Sequence, residues 1–244
     1  MMHHDEADFH GAPKGLIGRF QEYISEFVYG GIDGAVTTFA VVAGSVGAGL
    51  NTQTIVILGF ANLIADGFSM AVGAYLSAKT EEENYNKALK QEYWEIDHLP
   101  EIERQEIREI YQKKGFEGEL LEQVVDKICE DKDRWVDDMM RMELEMMPTD
   151  KKPLSIGWMT FISFNAVGFV PLVVYVSNLI WDFSGQLFAW SSILTAIAFM
   201  GIGYLKAKVT HQSLLRSMGE TLLLGVIAAV LAYVAGDLLA EWLA

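Results

Sequence analysis

Five apolar stretches dominate this chain, at roughly 29–50, 54–78, 155–180, 187–206 and 219–240. Each is about 20 residues or longer, the length a helix needs to cross ~30 Å of hydrocarbon. Inside lipid, backbone N–H and C=O groups must find partners within the segment, so such stretches fold as helices. Gly, Ser and Ala recur within them, as in helices whose backbones approach closely. The expected fold class is therefore all-α: a polytopic membrane protein with five transmembrane helices.

Charge is segregated from these stretches. Residues 79–152 carry 22 Asp/Glu against 13 Lys/Arg. The expected organisation is a tail (1–15), an amphipathic entry helix with spans 1 and 2 (16–78), an acidic module (79–152) and spans 3 to 5 (153–244). Helix-breaking signals at Pro100, Gly115, Gly118, Pro148 and Pro153 divide the module. They predict an extension of span 2 to Leu99, a helix over 101–114 and a long helix over 119–147. The remaining Lys/Arg are Lys14, Arg19, Lys206, Lys208 and Arg216, while segments 48–53, 178–186 and 237–244 hold none. By the positive-inside rule the N-terminus and the module are expected in the cytoplasm and the C-terminus outside. The net charge of −15 excludes a phosphate-neutralising surface, so no nucleic-acid partner is expected. One cysteine, Cys129, permits no intrachain disulfide and fits a reducing compartment. No apolar leader precedes the first stretch, and a prokaryotic plasma membrane is the expected location, or a vacuolar membrane in a eukaryote.

Two of the spans contain carboxylates, Asp33 and Asp66. An ionisable group in a span costs a few kcal/mol or more and marks a functional site by default. Glu22, Glu26, Gly30, Asp33 and Thr37 follow one helical stripe, and Asn62, Asp66, Met70 and Gly73 follow another. A carboxylate oxygen and a thioether on facing helices suit a divalent transition metal. Gly30, Gly31 and Gly34 around Asp33 point to close backbone packing. Asn165 and Pro171 predict a kink in span 3. Glu220 is expected to cap span 5, and Gly236 with Asp237 to end it. Asp182 and His211 read as surface residues, and His3, His4 and His10 as part of the tail.

In the module, Glu92 with Glu95 and Glu103 with Glu106 are spaced i, i+3, and Met139, Met140 and Glu143 cluster near its end. Each set can aim side chains from one helical face. Carboxylates suit hard to borderline cations, and thioethers bias a site away from Mg²⁺ and Ca²⁺ toward Fe²⁺. A ferritin-like di-iron enzyme is the rival reading, because Glu95 and His98 form a Glu-x-x-His. Such sites need two copies, and the chain holds no second. The other rival is a metal sensor that binds without conducting, which would have no need of Asp33.

GGIDGAVTTFAVVAG and GFANLIADGFSMAVGAYLS resemble the paired signatures of the vacuolar iron transporter family. The resemblance runs from about residue 20 to the end. It implies a five-span homodimer whose first spans line an ion path, and a transporter rather than an enzyme. The implied cargo is Fe²⁺ moved out of the cytosol, with Mn²⁺, Co²⁺ or Zn²⁺ tolerated, in exchange for protons and with no prosthetic group. By matching motifs, Asp33 and Met70 resemble the in-membrane metal ligands, and Glu22 and Glu26 the carboxylates at the cytoplasmic mouth. Glu92, Glu95, Glu103, Glu106, Met139, Met140 and Glu143 resemble the metal-binding positions of the cytoplasmic domain. One departure stands out: Ala74 occupies a position where many members carry Glu, which bears on proton coupling.

Overall fold

A computed structural model describes residues 22–181, 185–210 and 212–243. The predicted tail with His3, His4 and His10, the start of the entry helix (16–21), Asp182 and His211 lie outside the described residues. In chain order the helices are α1 (Ile24–Gly47), α2 (Thr52–His98), α3 (Pro100–Lys113), α4 (Gly118–Cys129), α5 (Lys132–Met142) and α6 (Pro153–Gly168). A 3-10 turn (Val170–Leu172), α7 (Val173–Trp181), α8 (Leu187–Thr210) and α9 (Leu214–Leu243) follow. Among the described residues there is no strand, and 5 segments are long and apolar enough to cross a membrane: α1, α2, Pro153–Trp181, α8 and α9. The chain divides into two compact units, Leu76–Lys151 and the remainder, with α2 passing from one to the other.

In the larger unit α1 is central and packs against α6, α8 and α9. Its buried positions are mostly small: Gly30, Gly31, Gly34, Ala35, Ala43 and Ser45 line it beside Val28, Phe39 and Val42. Glycine is required at Gly34, where a Cβ would overlap the Phe164 carbonyl of α6. Between lipid-soluble helices no hydrophobic force drives association, so this backbone proximity supplies van der Waals contact that larger residues would forbid. Gly34→Val is expected to separate α1 from α6 and to lower the thermal midpoint in detergent, whereas Gly73→Ala, with open space around its Cβ position, leaves it unchanged.

Buried hydroxyls on these helices are satisfied locally. Thr160 donates to the Ile156 carbonyl (2.9 Å), Thr195 to Ser191 (2.7 Å) and Thr221 to Ser217 (2.9 Å). Others tie helices together: Ser217 donates to the Gly203 carbonyl at 2.9 Å, and Ser191 to the Pro171 carbonyl at 2.6 Å. The kink expected at Asn165 and Pro171 is present as the 3-10 turn between α6 and α7. Proline has no N–H to continue the ladder, and Ser191 stabilises the distorted carbonyl. α9 buries only Ser217, Thr221, Gly225 and Ala229, one stripe at every fourth residue. Its remaining faces expose Leu223, Val226, Val230, Leu231 and Leu238, as suits a helix in contact with lipid.

The fifth span differs from expectation at both ends. α9 begins before Glu220 and runs past Gly236 and Asp237 to Leu243. Glu220 is not a cap; it sits inside the helix and accepts from Lys206 (3.3 Å) and Arg216 (3.0 Å). Gly236 is tolerated mid-helix because it allows close approach to the Gly44 carbonyl of α1.

The smaller unit has its own core of Ile96, Ile107, Leu121, Val125, Ile128, Trp135, Val136, Met139 and Met140. α2 and α3 occupy the expected positions, and the α3–α4 turn uses Gly115 (φ +93°) and Gly118 (φ +59°) in the left-handed region. The single long helix expected over 119–147 is instead two, α4 and α5. Asp131 takes an extended conformation, and its carboxylate accepts from the Arg134 N–H at 2.9 Å, so it caps α5. α5 then ends at Met142, with Glu145 at φ +53° and the Met146 N–H donating back to the Met140 carbonyl (2.8 Å).

Polar clasps surround this core. Arg108 grips Glu122 through two bonds of 2.8 and 2.9 Å, and Arg104 pairs with Asp126. The Tyr93 and Tyr111 hydroxyls donate to Asp133 and Asp138, each at 2.7 Å.

Candidate metal-binding sites

The smaller unit gathers carboxylates from helices that are distant in sequence. Glu92 and Glu95 project from α2 one turn apart, and α3 brings Glu103 to them after the turn at Leu99 and Pro100. One oxygen from each of these three lies within 4.8 Å of the other two. Glu92 and Glu103 are both buried, with relative exposures of 4%. Each has an Oε2 that is buried and accepts no hydrogen bond. Carboxylate oxygens left dry and unpartnered are costly unless a proton or a cation satisfies them.

The electrostatics agree. Burial pushes the Glu92 carboxyl up to about 7, reinforced by repulsion from Glu143, Glu95 and Glu106. Glu103 is likewise raised to about 7, by burial and then by Glu106, Glu92, Glu95 and Glu143. Glu106 and Glu143 are also raised, with burial the larger cause and Glu95 a shared repeller. Carboxylates from α2, α3 and the end of α5 therefore repel one another, and a divalent cation seated among Glu92, Glu95 and Glu103 would offset that repulsion.

Met139 and Met140 sit on α5 just ahead of Glu143, with exposures of 0% and 1%. Both side chains belong to the hydrophobic core next to Ile96 and Ile107. His98 stays out of the cluster: its Nδ1 is 2.7 Å from the Trp94 carbonyl and its ring stacks on the Trp94 indole. Of the Glu-x-x-His of the di-iron reading, Glu95 thus joins the carboxylate cluster while His98 packs on the last turn of α2.

In the larger unit Asp33 is half-buried on α1, flanked by the small residues that seat α1 against α6. Glu26 is half-buried one stretch earlier. Glu22 is exposed and precedes α1, because Tyr23 (φ −106°, ψ 17°) breaks the regular helix between them. The expectation of one helix carrying Glu22 and Glu26 on a common stripe is corrected there. Met70 is half-buried on α2 and packs on the cluster of Val42, Leu63 and Phe164. Asp66, one turn from Met70, lies near enough to Asp33 for the two charges to repel. It is exposed, with no hydrogen bond or ion pair among the described residues, on the helical stripe that also carries Asn62, Met70 and Gly73. Sequence reasoning noted Asp66 without placing it in the ligand set. The i, i+4 spacing to Met70 was the available signal.

Comparison with known proteins places this arrangement. The profile of the VIT family matches residues 24–237. A protein named vacuolar iron transporter 1 from Arabidopsis thaliana is 34% identical over 213 residues, covering 87% of this chain and 84% of that protein. A vacuolar iron transporter from Toxoplasma gondii is 32% identical over 225 residues, 89% of this chain and 74% of that one. Another from Plasmodium falciparum is 29% identical over 228 residues, 90% of this chain and 83% of that one. Five apolar helices, carboxylates within them and a match across both units agree: the chain belongs to the VIT family, whose members are transporters and not enzymes.

Proposed function

We propose that this chain is a secondary transporter that moves Fe²⁺, and also Mn²⁺, out of the cytosol in exchange for protons. The observation that carries the reading is the pair of carboxylates, Asp33 and Asp66, held at membrane depth without a basic partner among the described residues. Such groups are costly in hydrocarbon and mark ion pathways. The names of the relatives point to iron as the cargo. The mixed Glu/Met donor set is compatible with Mn²⁺, Co²⁺ and Zn²⁺ as further cargo.

The acidic unit captures the ion through Glu92, Glu95, Glu103, Glu106 and Glu143, with Met139 and Met140 supplying thioethers on local rearrangement. Glu22 and Glu26 draw it to the mouth of α1, and Asp33 with Met70 holds it partly dehydrated. The exposed Asp66 on a membrane-spanning stretch of α2 favours a homodimer, since a second copy would remove that carboxylate from lipid. Protons and metal compete for the same oxygens, so exchange follows from site chemistry even with Ala74. A cytoplasmic acidic unit, following the positive-inside rule, in a prokaryotic plasma membrane completes the proposal; in that setting the role is efflux.

The test is flux in sealed proteoliposomes, with Fe²⁺ under reducing conditions and a pH dye inside. Metal uptake with a counter-directed pH change is expected. Uptake without any pH change would remove proton exchange, and no uptake of Fe²⁺ or Mn²⁺ would overturn the transport reading.

A further inference from the structure

The polar stripe of α2 continues past Asp66 to Asn62, one helical turn further from the Leu76–Lys151 unit in sequence. Asn62 is half-buried between α1 and α2. Its Nδ2 donates to Thr37 Oγ1 and to Thr38 Oγ1, each at 3.4 Å. The Thr37 hydroxyl hydrogen is already committed to the Asp33 carbonyl, at 2.9 Å. Thr37 can therefore only accept from Asn62, and this fixes the amide with its NH₂ toward the threonines. The carbonyl Oδ1 is left pointing away from them, with no hydrogen bond among the described residues. A helix rises 1.5 Å per residue, so Oδ1 sits about 6 Å along α2 from the Asp66 level, and Asp66 the same from Met70.

An amide clamped by its donor end and unsatisfied at its acceptor end is poorly suited to lipid. It is well suited to a dehydrated cation. A neutral carbonyl holds a divalent ion less tightly than a carboxylate, and conduction needs a site strong enough to receive the ion yet weak enough to release it. We infer that Asn62 Oδ1 is a cation ligand in the membrane, a neutral-oxygen step that takes the divalent metal from the Asp33, Asp66 and Met70 level toward the Asn51 turn. Thr37 and Thr38 are its positioning residues. This inference rests on the transport reading and extends it to the release half of the path.

Flux of the full chain in proteoliposomes tests it, with Mn²⁺ and Co²⁺ as probes. Asn62→Leu is expected to lower the maximal Mn²⁺ flux about 10-fold while leaving the half-saturating concentration unchanged. Asn62→Met replaces an oxygen donor by a softer thioether, and is expected to shift the Co²⁺/Mn²⁺ flux ratio toward Co²⁺. If Asn62 only clamps α1 to α2, Asn62→Met scales both fluxes equally and the ratio stays that of the wild type; that outcome overturns the inference. If the wild type itself carries no flux, the transport reading fails separately. Mn²⁺ binding measured by electron paramagnetic resonance on detergent-solubilised chain, with Glu92, Glu95 and Glu103 changed to Gln, then decides the ligand. A changed Mn²⁺ spectrum in Asn62→Leu at unaltered affinity supports it, and a spectrum identical to that of the wild type overturns it.

Discussion

Asp33→Ala is expected to abolish metal flux in proteoliposomes while the protein still folds and reaches the membrane. Asp33 sits on α1 between Gly31 and Gly34, and its backbone position is set by the packing of those glycines against α6, α8 and the Thr37 hydroxyl. Its side chain is thus not needed to hold the helices together. Removing the partner of a poorly hydrated charge costs about 3–5 kcal/mol, which is roughly 150- to 4000-fold in affinity for the ion. Asp66 remains nearby, so Asp33→Glu, which restores the charge at a slightly different reach, is expected to recover part of the flux. Wild-type flux in Asp33→Ala would remove this residue from the path. A loss accompanied by aggregation would point instead to packing, which size-exclusion profiles in detergent distinguish.

The second large effect concerns pH and the empty acidic unit. Glu92 and Glu103 have folded pKa values near 7, above their ordinary value of 4.5. A carboxyl raised on folding favours the folded state when protonated. That stability is complete below about pH 4.5 and is lost as pH rises through 7. Without metal, the Pro100–Met142 amides are therefore expected to exchange hydrogen faster at pH 8 than at pH 5, after correction for the intrinsic rate. Adding Mn²⁺ at pH 8 restores protection, because the cation replaces the missing protons. The Glu92→Gln, Glu103→Gln double variant loses most of the pH dependence, is more protected than the wild type at pH 8 without metal, and gains much less from Mn²⁺, the remainder of both effects coming from Glu106 and Glu143. Binding at pH 6 is accompanied by proton release, read as a dependence of calorimetric heat on buffer, and this release fades above pH 8. Equal protection at pH 5 and pH 8 in the metal-free wild type would contradict the account of the cluster.

Much of this fold is legible from one-dimensional information. Lipid offers no hydrogen bonds, so a long apolar run has few alternatives to a helix. α1, α2, the kinked α6–α7 pair and α8 accordingly lie close to their expected ranges. Where water is the solvent, helix ends depend on weaker local choices. The break at Asp131 arises from a single cap, and a polar residue in an acidic run carries no distinctive mark. α9 runs past its expected limits at both ends, where Glu220 meets Lys206 on α8 and Gly236 packs on the Gly44 carbonyl of α1, neighbours that only the packed structure supplies.

The candidate sites divide in the same way. Periodicity within one helix marked Asp33, Asp66, Met70 and the Glu pairs as ligand types, since spacing along a helix determines which residues share a face. It left open which faces meet. The turn at Leu99 and Pro100 brings Glu103 to Glu92 and buries both, and α5 carries Glu143 toward them while drawing Met139 and Met140 into the core. Desolvation and repulsion between charges are properties of three-dimensional proximity. The amino-acid order by itself therefore determined the helices, their membrane character and the donor chemistry. Only the tertiary structure decided which carboxylates become dry and mutually repelling, and hence where a cation has most to offset.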